Sequence, residues 1–210
     1  MRTGLKLVLY DDTCRRDIGW RLGMTHTWIA GKMLYRMRDA IDDACGVTSW
    51  AQALEWVVAR GADQAIGEVQ FWGHGKWGRA FVGQDVLDAR AFEPTHPLYE
   101  PLMDVRQRMT GPHALWWFRT CETIGGFAGH RFAKTWVEQM GSRVAGHTAI
   151  IGPWQSGLHM LAPGQAPQWS PSEGILEGTP EAPLKAQWSR RGLPRTISAL
   201  RASVPQGWWV

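Results

Sequence analysis

Short apolar runs alternate with stripes of helical period along the first two thirds of the chain, the pattern of strands separated by amphipathic helices. Leu5–Tyr10, Glu68–Trp72, Ala114–Thr120 and Arg143–Ala145 are strand-length runs, each closed by Gly or a polar residue. Trp28–Asp43 sets Trp28, Ile29, Met33, Leu34, Met37, Ala40 and Ile41 on one face of a helix. Ser49–Arg60 predicts a second helix, with Ser49 as N-cap, Trp50, Ala53, Leu54, Val57 and Val58 on its buried side, and Gly61 just past its end. His96–Met109 and Phe127–Met140 predict two more, the latter stopped by Gly141. Strand, two helices, strand, hairpin, helix, strand, helix, strand is the order of an α/β/α sandwich with a mainly parallel sheet.

After His147 the periodicity fades. Gly152-Pro153, Pro163-Gly164, Pro167, Pro171, Pro180 and Pro183 break the chain repeatedly, and regular apolar spacing returns only at Arg195–Ala202. The reading is one domain over residues 1–150 with a loop-rich extension, 151–210, packed on it. Tryptophans at 154, 169 and 188 and in the pair Trp208-Trp209 favour packed loops over a free tail.

Composition narrows the function classes. The chain has 210 residues, 44% of them hydrophobic and 20% charged, which excludes a disordered or fibrous protein. Lys and Arg number 23 against 19 Asp and Glu, a net charge of +4. The basic residues are scattered apart from Arg15-Arg16 and Arg190-Arg191, so no nucleic-acid partner is expected. No apolar run approaches the ~18–20 residues of a membrane span, and Leu5–Tyr10 lacks the flanks of a signal peptide. A soluble cytoplasmic protein with no membrane partner is the expectation. Three cysteines without a CxxC pair argue against a disulfide framework and a structural zinc. Fourteen tryptophans against three Tyr and six Phe are read mainly as core fillers.

Two strands run straight into a reactive side chain: Glu68-Val-Gln-Phe-Trp-Gly-His74-Gly75 and Ala114-Leu-Trp-Trp-Phe-Arg-Thr-Cys121. Loops at the carboxyl ends of parallel strands converge on one crevice, which would set His74 beside Cys121. An imidazole can take the proton of a thiol or stabilise its anion. Gly75 leaves a backbone N–H open to a substrate oxygen, and with the N–H of Cys121 it would form an oxyanion hole. Cys14 and Cys45 are read as inert. His113 lies at the opposite strand end, and His26, His96, His130, His147 and His159 lack metal-ligand spacing, so no metal and no organic cofactor are expected.

In these two motifs the chain resembles clan CD cysteine peptidases, whose signature is one apolar strand ending in His-Gly and a later one ending in Cys. It is more similar still to a bacterial caspase-like domain of unknown function. There the match adds Gly125-Gly126-Phe127, Phe132-Ala133 and Gly141-Ser142-Arg143-Val144-Ala145, and covers roughly residues 66–160. Gly73 stands where that domain usually has Ser, and Arg119-Thr120 where Ala or Gly is common before the Cys. The resemblance implies a caspase-like fold and a cysteine endopeptidase acting on a protein or peptide, with Cys121 as nucleophile and His74 as base and then acid. The alternative is a catalytically silent caspase-like module that binds a protein partner or glycan. The resemblance also implies that Arg119 and the loop Asp11-Asp12-Thr13-Cys14-Arg15-Arg16 line the substrate pocket. Inward-facing Arg119 with Arg15 or Arg16 would favour an acidic substrate side chain; inward Asp11 or Asp12, aided by Glu122, a basic one. A pocket built by Trp154 and its loop would be apolar. The oligomeric state is left open.

Overall fold

The computed structural model describes residues 4–15, 23–61, 63–111 and 113–209. Six strands form the central sheet: β1 (Leu5–Asp11), β2 (Asp43–Val47), β3 (Ile66–Trp72), β7 (Leu115–Arg119), β8 (Arg143–His147) and β10 (Leu158–Leu161). Their order is β10-β8-β7-β3-β1-β2. β1, β2, β3, β7 and β8 run parallel, and β10 is antiparallel to β8. A small hairpin sheet of β4 (His74–Gly75), β5 (Arg79–Val82) and β6 (Asp85–Asp88) lies between β3 and β7 in sequence.

Alternation along the strands sorts side chains to two faces. Leu7, Leu9, Val69, Phe71, Trp116, Phe118 and Val144 pack with Leu54 and Val57 of α2 (Trp50–Ala59), Leu102 and Val105 of α3 (Tyr99–Arg108), and Phe132, Trp136 and Val137 of α4 (Gly126–Met140). The centre of this layer is aromatic: the Trp136 ring lies 4.9 Å from Phe118 and 5.0 Å from Trp116. Sequence-local signals hold the helices in place. Ser49 accepts a hydrogen bond from the Gln52 N–H at 3.2 Å, and Gly141 ends α4 with φ of 64°. The opposite face is covered differently. Val8, Tyr10 and Trp72 meet Tyr35 of α1 (Met24–Met37), while Leu115, Trp117, Ala145, Leu158 and Met160 lie under Ile197 and Val204 of the C-terminal segment.

Two expectations need correction. The helix expected over Trp28–Asp43 runs from Met24 to Met37, and an unexpected strand, β2, follows. Asp39 takes a positive φ of 55°, which a continuing helix cannot accommodate, and Ile41 packs from the connector instead. As an edge strand paired only with β1, Asp-Ala-Cys-Gly-Val carries no period-two signature. The helix expected from His96 begins at Tyr99. Where apolar spacing returns, at Arg195–Ala202, the short strand Ile197–Ser198 pairs with β9 (Trp154–Gln155), and Ile197 is buried against the sheet. The loop-rich third also supplies β10, so the central sheet draws on both sides of residue 150. Among the described residues no helix is long and apolar enough to cross a membrane.

Candidate active site

β3 and β7 are adjacent and parallel with Trp72 opposite Arg119, so His74 and Cys121, each two residues further on, leave the sheet at the same edge. After Trp72 the chain turns into β4, which pairs with β5 and is followed by a short strap across the turn after β7. The Trp77 N–H donates to Glu122 O at 3.1 Å and the Gly78 N–H to Thr123 O at 2.7 Å. A Cβ on Gly75 would lie 2.0 Å from Thr123 Oγ1, 2.7 Å from Thr120 Oγ1 and 2.8 Å from Cys121 O. Gly75 is therefore required by space: its backbone touches the turn that carries Cys121. The hydroxyls of Thr120 and Thr123 are hydrogen-bonded to each other, and Thr123 Oγ1 donates to Cys121 O at 3.1 Å. Gly75→Ala is expected to pry strap and turn apart, destabilising the fold by about 1–3 kcal/mol and reducing Cys121 reactivity more than the reactivity of Cys14 or Cys45. Unchanged stability and reactivity would refute this close approach.

Cys121 is partly exposed, and burial pushes its thiol above the ordinary range; the Glu122 charge adds to this, while a backbone hydrogen bond at Ile151 opposes it. His74 is exposed, its ring edge-on to Trp28 at 5.9 Å. No hydrogen bond joins His74 to Cys121 among the described residues. Glu122 has φ of +36°, unusual for a side-chain-bearing residue. Its N–H donates to Ala149 O, and its carbonyl accepts from both Trp77 and Gly125. Burial raises its carboxyl to about 6, against a lowering by Lys76.

The other candidates have different surroundings. Asp11 is fully buried and accepts from the Thr13 N–H and hydroxyl, the Cys14 thiol and the Gly83 N–H, tying the loop after β1 to the β5–β6 turn. Asp12 pairs with Arg15 at 2.6 Å, and its charge acts on Cys45 of β2. Arg16 lies outside the described residues. Arg119 is buried on the α1 side of the sheet, donating to Gln155 Oε1, the Tyr35 hydroxyl and Ala199 O, with its guanidinium 4.5 Å over Trp117. Trp154 is 38% exposed, with the Arg191 guanidinium 5.9 Å over its ring. The fold thus gathers His74, Gly75, Cys121 and Glu122, whereas Arg119 and Asp11 are committed to internal bonds. Thr120, Thr123 and Lys76 were missed, although a pair of threonines flanking Cys121 was visible in the sequence. A cavity of about 620 Å³ is lined by Trp77, Gly78, Arg79, Arg90 and Arg131 and includes neither His74 nor Cys121. Among the described residues no group of three or more His, Cys, Asp or Glu is arranged to hold a metal ion.

His147, at the end of β8, is fully buried with Nδ1 3.1 Å from Ser156 O, and burial lowers its pKa to about 3. Above the ordinary imidazole value of 6.5 the ring is neutral folded or unfolded. Below it the unfolded chain takes a proton that the folded one refuses until about pH 3, so stability falls across that window by up to about 5 kcal/mol. Glu122 acts with the opposite sign. Its folded carboxyl titrates above the ordinary 4.5, so it favours the folded state in acid and opposes it as pH rises through 4.5 to 6. The two offset each other in that shared interval, and urea unfolding should show the steep loss below about pH 4.5. Flat stability from pH 7 to 3 would contradict a buried neutral His147.

No family model matches the chain, and no curated protein matches it.

Proposed function

We propose that the protein is a caspase-like cysteine peptidase that hydrolyses a peptide bond with Cys121 as nucleophile and His74 as base and then acid. The observation that carries this reading is the delivery of His74-Gly75 and Cys121 to one sheet edge by neighbouring parallel strands, with Gly75 against the Cys121 carbonyl. The raised thiol keeps its proton in the free protein, so His74 must remove it as sulfur attacks the substrate carbonyl. The carbonyl oxygen gains negative charge and is met by the N–H groups of Gly75 and Cys121. Collapse expels the amine, which takes the proton from His74, and leaves an acyl group on sulfur; water, deprotonated by His74, then releases the acid. Thiols outside any disulfide at Cys45 and Cys121 suit a reducing, cytoplasmic setting.

The competing reading, a silent module that binds a protein partner or glycan, is favoured by the absence of a His74–Cys121 hydrogen bond among the described residues and by exposed Trp154 and Trp188. A thiol-directed peptide electrophile separates the two. The peptidase labels at Cys121 in preference to Cys14 and Cys45, and His74→Ala removes the preference. Equal labelling of all three cysteines would support the silent module.

A further inference from the structure

A buried carboxyl beside the proposed nucleophile has no side-chain hydrogen bond among the described residues. Glu122 is 7% exposed, and its Oε2 is enclosed without a hydrogen bond. Lys76 is the cation whose charge it feels, yet that ammonium lies 5.0 Å over the Trp77 ring and forms no ion pair with Glu122 among the described residues. The Glu122 backbone is held by Ala149, Trp77 and Gly125 in a left-handed conformation. Strain of this kind persists only where the surroundings over-determine it, and it is common at functional positions. A buried carboxylate without donors is costly until a donor arrives.

The chemistry of that donor follows from the position. It must carry N–H groups and positive charge, and enter beside the strap on a stem long enough to bring them to an enclosed oxygen. Glu122 adjoins Cys121, so the arriving charge lies close to the carbonyl under attack. The other acidic candidates are weaker: Asp11 is saturated by internal donors, and Asp12, although its Oδ1 is also enclosed without a hydrogen bond, already has the Arg15 guanidinium on its Oδ2. A guanidinium offers two parallel N–H groups to a carboxylate, and an ammonium offers a point charge.

We infer that Glu122 is the specificity carboxylate of this site and that the substrate residue before the scissile bond is Arg or Lys. This rests on the peptidase reading above, and the experiment separates the two. In the unaltered protein, 4-aminobenzamidine should protect Cys121 from alkylation, while the uncharged 4-aminobenzamide should not. Glu122→Gln, nearly isosteric, should weaken protection at least tenfold and lower kcat/KM for Arg and Lys peptides by about ten- to a hundredfold, mainly through KM. Peptides with Leu or Gln at that position should change little. Lys76→Ala should retain or sharpen the basic preference; loss of the preference would make Glu122 merely the counter-ion of Lys76. Cleavage with equal protection by the charged and uncharged probes, or preferred cleavage after Asp or Glu, overturns the inference and leaves the peptidase standing. Protection dependent on Glu122 in a protein that cleaves no peptide supports the cation pocket and removes the peptidase.

Discussion

Cys121→Ala is expected to reduce peptide cleavage by about three orders of magnitude or more, while the protein still folds. The sulfur is the atom that would carry the acyl group, and no neighbouring side chain can replace it. Cys14 lies beyond β1, with its thiol 3.5 Å from Asp11, and Cys45 lies on the edge strand β2. The structural loss is small, because Cys121 is only partly buried. About 1 kcal/mol or less is the expected cost. Initial rates on a fluorogenic peptide, paired with a thermal melt, measure both quantities. An alanine variant that cleaves at the original rate assigns the nucleophile elsewhere.

Arg119→Ala should do the reverse, damaging the fold first. The guanidinium is enclosed by Tyr35, Trp72 and Trp117, with ring centroids 4.5 to 5.7 Å away, and has no carboxylate ion-pair partner among the described residues. Gln155 Oε1 accepts from it twice, at 3.1 and 2.7 Å, and Ala199 O accepts at 3.0 Å. Truncation leaves Gln155 Oε1 without its donor, while Ala199 O keeps the Tyr35 hydroxyl, and opens a void between three aromatic rings. A loss of about 3–5 kcal/mol is expected, measured as a fall in the urea midpoint. If Arg119 instead lined a substrate pocket, the variant would keep its stability and change its peptide preference.

Much of this architecture was legible in the sequence because strands buried on both faces read as continuous apolar runs. Ala114–Phe118 is of that kind and Leu5–Tyr10 nearly so, Glu68–Trp72 shows instead through its alternation, and α4 carries its Gly stop one residue past its end. β2 was illegible because an edge strand of small residues has neither run nor alternation, and the apolar spacing of α1 continued through Ala40 and Ile41 into a connector. The site divided in the same way. Strand ends are marked in sequence, so His74 and Cys121 stood out. The orientation of Arg119 depends on whether position 119 faces α1 or the helices opposite, and its partners Gln155 and Ala199 are 36 and 80 residues away. No local pattern reports bonds of that span. Thr123 matters only because Gly75, 48 residues earlier by numbering (123 − 75), folds back onto it.

The C-terminal segment that stands in for a helix on one sheet face also sets a schedule for synthesis. Tyr35 donates to Ala199 O and Arg201 O, and Gln70 Nε2 to Ala202 O, so side chains made early wait for acceptors made more than 130 residues later. Until residues 158–204 leave the ribosome, Trp117, Leu115 and Ala145 face water along one side of a half-covered sheet. Closing such distant contacts is slow and leaves apolar strands exposed meanwhile. The nascent chain should therefore depend on chaperone capture, or on low temperature during expression, to an extent that the finished fold does not reveal. Because Arg119 sits in the β7 strand and is fastened by Gln155 and Ala199, the platform beneath Cys121 would be completed only in the last stage of that process.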